Sequence, residues 1–209
     1  MRAVVFDCDG VLVDSEPLSD ASWAGALAAR GYTMTPQDTV AVRGISEADC
    51  YRYFAVRADL PDEAEMQAEV DAGRLSGYPG LEPFGDAAAT VPELALYGIP
   101  MAVASSSRGE HLRHKLELVG LARYFEFVVG GDEVRAGKPA PDVYLAAAAG
   151  LGVDPQDCLA VEDSVNGADA AVAAGMRVVC VARYGATVGT HPTVDSLDSR
   201  LILTWLGHG

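Results

Sequence analysis

Short, nearly continuous apolar runs recur along this chain at residues 3–6, 101–104, 125–129, 158–161 and 178–181, with helix-like stretches separating the later ones. Strands exposed on one face alternate apolar with polar residues, so unbroken runs of this length point to strands buried on both faces. Phe84, Ala87, Ala88, Val91, Leu94 and Ala95 recur at helical spacing and meet a stop at Gly98, and alanine-rich stretches at 143–150 and 168–174 repeat the theme. Strands alternating with helices imply right-handed crossovers, hence an α/β fold with a doubly wound, Rossmann-like parallel sheet. With 209 residues, half of them hydrophobic, the chain can cover both faces of such a sheet. Ligands bind these sheets outside the carboxyl ends of the strands, so chemistry is expected just after the runs.

One interval breaks the alternation. From Glu16 to about Pro79 there is no strand-like run; Trp23, Ala24, Leu27 and Ala28 suit one helix, 46–58 and 62–77 suit two more, and Pro36 and Pro61 stand near the breaks. Sixty-odd residues exceed a simple crossover. The expected organisation is a catalytic core of residues 1–15 and 80–209 with an all-helical cap, 16–79, inserted over the strand ends. Gly77-Tyr78-Pro79-Gly80 would mark the return.

Charge narrows the partners. Thirty acidic residues oppose fifteen basic ones, a net charge of −15, without a basic cluster to reverse the field, so nucleic acid and anionic membrane surfaces are not expected partners. The apolar run at the N-terminus is too short for a signal peptide and no run is long enough to span a membrane, which leads to the expectation of a cytoplasmic protein. Cys8, Cys50, Cys158 and Cys180 show no paired spacing and read as buried thiols. Lysine occurs only at 115 and 138, so each one calls for a reason.

Directly after the first run comes Asp7-Cys8-Asp9-Gly10-Val11-Leu12-Val13-Asp14. Alternation puts Asp7 and Asp9 on one side of the chain. Turn formation accounts for one aspartate beside Gly10 but poorly for the set; a carboxylate nucleophile beside a carboxylic acid, with a hard metal between them, accounts for both. This segment resembles the first motif of the haloacid dehalogenase superfamily of phosphohydrolases. Ser105 after the second run, Lys138 in Gly137-Lys138-Pro139 and Glu162-Asp163-Ser164 after the fourth run match that family's remaining motifs in order. The insert matches its helical cap.

The resemblance implies roles. Asp7 would attack phosphorus and form an aspartyl-phosphate; Asp9, resting protonated, would protonate the leaving oxygen and then deprotonate water. Dehalogenating members have no aspartate where Asp9 stands, so its presence here speaks for phosphate esters. Ser105 would donate to a phosphoryl oxygen, with the following helix N-terminus and Ser106 assisting, and Lys138 would bridge Asp7 and the phosphate. Asp7, Asp163 and the carbonyl of Asp9 would bind Mg2+, with Glu162 direct or through water, while Ser164 caps the next helix.

Substrate choice is expected in the cap, at Arg43, Gly44 and Glu47. A phosphonate-cleaving chemistry needs a cap lysine, and 16–79 contains none. The β-phosphoglucomutase group is closer, but Ser19 stands where that group has histidine and Glu47 where it has arginine. The segments Asp14-Ser15-Glu16-Pro17-Leu18 and Leu151-Gly152-Val153-Asp154-Pro155 are most similar to the sugar- and polyol-phosphate phosphatases. The expected activity is Mg2+-dependent hydrolysis of a small phosphorylated metabolite by a monomer or small homo-oligomer. Alternatives are a mutase and a phosphoglycolate- or 6-phosphogluconate-type phosphatase.

Overall fold

In a computed structural model, which describes residues 2–42, 47–183 and 188–207, six strands form one sheet: β1 (Ala3–Phe6), β2 (Met101–Ala104), β3 (Phe127–Val129), β4 (Cys158–Glu162), β5 (Arg177–Val181) and β6 (Thr193–Val194). All pairings are parallel and the order is β3-β2-β1-β4-β5-β6. β1 is central, with Val5 opposite Ala102 on one side and Ala160 on the other. Strand order reverses there, which opens a crevice at the carboxyl ends of β1 and β4. The fold is α/β and Rossmann-like, as the alternation of runs implies. Two elements were not expected: β6, whose two residues are too few to leave a run, and a following helix at Ser199–Leu206. The third strand begins at Phe127, because 122–124 form a 3-10 turn that takes Phe125 out of the ladder.

The chain divides into two compact units, Met1–Asp14 with Glu82–Gly209, and Ser15–Leu81. In the insert lie α1 (Glu16–Ala28), α2 (Pro36–Val42), α3 (Glu47–Ala55) and α4 (Glu63–Gly77). Trp23, Ala26 and Leu27 form one stripe of α1 and pack with Phe54, Met66 and Val70. The Trp23 ring stacks on Phe54 at 5.4 Å, and Tyr53 meets Phe54 edge-on at 5.0 Å. α2 was not expected as a helix; its Pro36 occupies the first helical position, where a missing N–H costs nothing. The 3-10 turn Tyr78–Gly80 follows α4 within this unit.

In the sheet unit, α5 (Gly85–Leu96), α6 (Gly109–Leu118), α7 (Asp142–Leu151), α8 (Val165–Ala173) and α9 (Ser199–Leu206) accompany the strands. Ala3 and Val5 face α7 and α8 in a cluster rich in alanine, including Ala102, Ala104, Ala147, Ala160, Ala168 and Ala171, whose small side chains let helices lie close to the sheet. All four cysteines are buried and unpaired. Among the described residues no helix is long and apolar enough to cross a membrane.

Candidate active site

Four neighbouring strands, β3-β2-β1-β4, bring polar side chains to the region beyond their carboxyl ends. Asp7 follows β1, Ser105 follows β2, Lys138 lies in the loop after β3, and Glu162 ends β4 with Asp163 next. Oxygens of Asp7, Glu162 and Asp163 lie within 4.8 Å of one another. Lys138 Nζ stands among them, donating to Asp7 Oδ1 at 2.5 Å, Glu162 Oε1 at 2.6 Å and the Ala104 carbonyl at 3.0 Å.

Glycine permits the close packing. Gly10 has φ +80°, and a Cβ there would sit 1.8 Å from Asp163 Oδ2. Its position fixes the turn after Asp9, in which Leu12 and Val13 N–H donate to the Cys8 carbonyl at 2.8 and 3.0 Å. Arg183 braces the same turn, donating from Nε to Gly10 O and from Nη2 to Val11 O while pairing with both oxygens of Asp86 at 2.9 Å. On the far side, a Cβ at Gly167 would lie 1.8 Å from Glu162 Oε1.

The carboxylates differ in how they are satisfied. Glu162 is fully buried, yet Oε1 accepts from Lys138 and Tyr144 (2.7 Å), and Oε2 accepts from the N–H groups of Asp163 and Ser164 and from Ser164 Oγ. Burial alone would raise its pKa, but Lys138 and these bonds outweigh burial and hold it below the usual value. Asp7 goes the other way. Burial raises it from 3.8 to about 7, with Glu162 and Asp9 adding to the rise and Lys138 only partly opposing it. Asp163 is raised further, to about 9, by burial first and by Asp7 and Glu162 next. Lys138 is held above its usual value because Asp7 and Glu162 outweigh its burial.

Such a cluster is short of positive charge. Its donors are hard oxygens, which suit a small divalent cation. Asp7 and Asp163 are the side chains available to it, since every acceptor direction of Glu162 is already used.

Ser105 is buried, its N–H bonded to the Val129 carbonyl and its Oγ accepting from Ser107 N at 3.1 Å. The expected help from a helix N-terminus is corrected here. α6 begins only at Gly109, whose N–H is already taken by Asp132 Oδ1 at 2.7 Å. Ser106 is exposed; its neighbour Ser107 turns inward instead and donates to Asp9 Oδ2 at 2.8 Å. Ser164 caps α8 as expected, accepting from Gly167 N at 3.1 Å.

Asp9 has a partner that the motif does not specify: its carboxyl group meets Lys115, whose Nζ lies 2.6 Å from Oδ1 and 3.0 Å from Ser107 Oγ. Lys115, Ser107, Tyr144 and Arg183 are thus members or braces of the site that motif matching passes over. The rarity of lysine pointed to Lys115; nothing in the sequence points to the Tyr144 hydroxyl, which sits on an otherwise apolar stripe of α7.

In the insert, Glu47 opens α3 and accepts from Trp23 Nε1 at 3.3 Å and from Arg74. Arg74 also donates to Ser19 Oγ at 2.9 Å and to Asp71 at 3.0 Å. Arg43 and Gly44 lie outside the described residues.

Comparison with known proteins agrees with this layout. A family model for haloacid dehalogenase-like hydrolases matches residues 1–175. Hexitol phosphatase A of Escherichia coli is 32% identical over 86% of this chain and 82% of its own. Fructose-1-phosphate phosphatase YqaB of the same organism is also 32% identical, over 85% of this chain and 95% of its own. The crystal structure of a putative β-phosphoglucomutase from Thermotoga maritima covers 100% of this chain and 99% of its own, with a TM-score of 0.80 at 25% identity.

Proposed function

Because the chain belongs to the haloacid dehalogenase-like hydrolases, we propose that it hydrolyses phosphate monoesters of small sugars or polyols through an aspartyl-phosphate on Asp7, with Mg2+ held by Asp7, Asp163 and the carbonyl of Asp9. The observation that carries this reading is the convergence of Asp7, Glu162 and Asp163 within 4.8 Å around Lys138 at the strand ends. Bound there, the cation would neutralise charge on the phosphoryl oxygens.

The chain's own groups do the remaining work. Lys138 holds Asp7 by one oxygen, leaving the carboxylate oriented for attack on phosphorus; the bond to the leaving oxygen breaks as the new bond to Asp7 forms. Asp9 gives the leaving oxygen its proton, then takes one from the water that attacks the aspartyl-phosphate and releases inorganic phosphate. Ser105, with its oxygen already accepting from Ser107 N, has its hydroxyl proton available for a phosphoryl oxygen. Glu162 keeps Lys138 in place. The insert, through Glu47, selects among substrates.

The substrate class rests on the likeness to the hexitol and fructose-1-phosphate phosphatases. A panel of phosphorylated sugars, polyols, phosphoglycolate and 6-phosphogluconate, assayed for phosphate release with Mg2+, tests it. The expected result is highest kcat/KM on a hexose or hexitol phosphate; a clear preference for phosphoglycolate, or no release from any ester, would overturn it. The likeness to the Thermotoga structure favours one alternative, a mutase, which would isomerise glucose 1-phosphate without net release of phosphate.

A further inference from the structure

Lys115 is one of two lysines in the chain and is buried on α6. Removing an ammonium from water costs several kcal/mol unless a well-placed partner offsets it, so its position calls for a partner. That partner is Asp9. Nζ lies 2.6 Å from Oδ1 and 2.5 Å from Oδ2, and Ser107 Oγ adds a bond to Oδ2 at 2.8 Å while accepting from the same ammonium at 3.0 Å. Two separate elements, α6 and the loop after β2, therefore grip one carboxylate.

Asp9 has reason to need this. Its side chain is one-third exposed and it stands next to Gly10, where the chain turns. A free aspartate there would populate several χ1 and χ2 states. Lys115 itself is 5% exposed at the side chain, which leaves it little surface for contact with a substrate. The two lysines thus divide the two aspartates of the first motif between them, Lys138 taking Asp7 and Lys115 taking Asp9.

We propose that Lys115, together with Ser107, is a positioning residue that sets the orientation of the Asp9 carboxylate for proton transfer. This rests on the reading of Asp9 as the proton-transfer group. Misplacing a reacting group by about an ångström can cost on the order of a hundredfold in rate, and groups that act as one unit lose their separate effects when one of them is gone.

The test is a kinetic double-mutant cycle on p-nitrophenyl phosphate at saturating Mg2+, using the wild type, Lys115→Met, Asp9→Asn and the double variant, with KM and the thermal midpoint recorded for each. Lys115→Met is expected to lower kcat by about 10- to 100-fold with KM changed by less than about threefold. In the Asp9→Asn background the same substitution is expected to lower kcat by less than about twofold. Ser107→Ala removes no buried charge and carries the same cycle should Lys115→Met not fold; its expected loss is about threefold to tenfold, again absent in the Asp9→Asn background. Equal losses in both backgrounds would overturn the proposal, because the side chain would then be acting on substrate or fold independently of Asp9. So would an unchanged kcat in Lys115→Met. An unchanged kcat in Asp9→Asn alone would instead remove the reading of Asp9, and the proposal with it.

Discussion

Asp38 in the insert and Asp7 in the sheet unit are both buried aspartates, and their surroundings push them in opposite directions. Asp38 accepts from Thr35 N and Oγ1 at 2.8 and 2.7 Å, from Tyr32 at 3.0 Å and from Tyr53 at 2.8 Å. The Thr35 N–H and these hydroxyls outweigh desolvation and hold it at about 2. Burial raises Asp7 to about 7, with Glu162 and Asp9 adding to the rise and Lys138 only partly opposing it, and burial with Asp7 and Glu162 takes Asp163 beside it to about 9. One cluster is completed by the protein itself. The other carries more negative charge than its single lysine balances, which is the condition a divalent cation and a reacting phosphoryl group would relieve. The difference separates a carboxylate that serves the fold from carboxylates kept for chemistry.

The sharpest way to break that contrast is substitution at Asp7. Asp7→Asn is expected to keep the fold, by far-UV circular dichroism, and to lose phosphate release by about a thousandfold or more. Appreciable turnover in that variant would mean that Asp7 is not the nucleophile. Metal removal comes next. Treatment with EDTA should abolish turnover and added Mg2+ should restore it; full activity in chelated protein would show that the cluster needs no cation.

Acid and base should act on the two regions with opposite signs. Asp7 and Asp163 have folded-state values above the ordinary 3.8, so their contribution disfavours the metal-free fold as pH rises from about 4 and goes on growing until pH passes about 7 and about 9. Asp38 lies below 3.8; its stabilisation is present above that value and is lost as pH falls toward about 2. Thermal midpoints of chelated protein across this range should therefore decline on the alkaline side, and Mg2+ should raise the midpoint more at alkaline than at mildly acidic pH. A Mg2+ effect independent of pH would contradict the assignment of those carboxylates.

Asp38→Asn should cost about 2 kcal/mol in denaturant unfolding of the insert, with little change in kcat on a small aryl phosphate. The smallest effect concerns selection. Glu47→Gln loosens the Arg74 pair and is expected to reorder sugar-phosphate substrates by about threefold to tenfold in kcat/KM; equal losses on every substrate would indicate damage to the insert's packing.

Much of this was legible in the chain, for physical reasons that differ by element. Strands buried on both faces must be apolar throughout, so β1, β2, β4 and β5 announce themselves, and residues just beyond them inherit the strand ends. That is why Asp7, Ser105 and Glu162 could be placed, and why Thr193–Val194 could not. Lys115 and Asp9 are 106 residues apart; no local pattern encodes such a pair, although a lysine sharing a helix face with the buried Leu112 and Leu116 is a signal that helical phase can reveal. Tyr144 was hidden by its own apolar ring. The partner of Asp9 was missed because the motif specifies the residue, whereas Lys115 comes from a helix the motif does not include.

The central claim is that Asp7 carries the phosphoryl group during turnover. Acid quenching of the enzyme in the presence of Mg2+ and a radiolabelled phosphate ester, followed by peptide mapping, tests it most directly. The expected result is an acid-stable, hydroxylamine-sensitive label on the peptide holding Asp7, absent from Asp7→Asn. Rapid turnover that leaves no label on the protein, or a label on any other residue, would contradict the account.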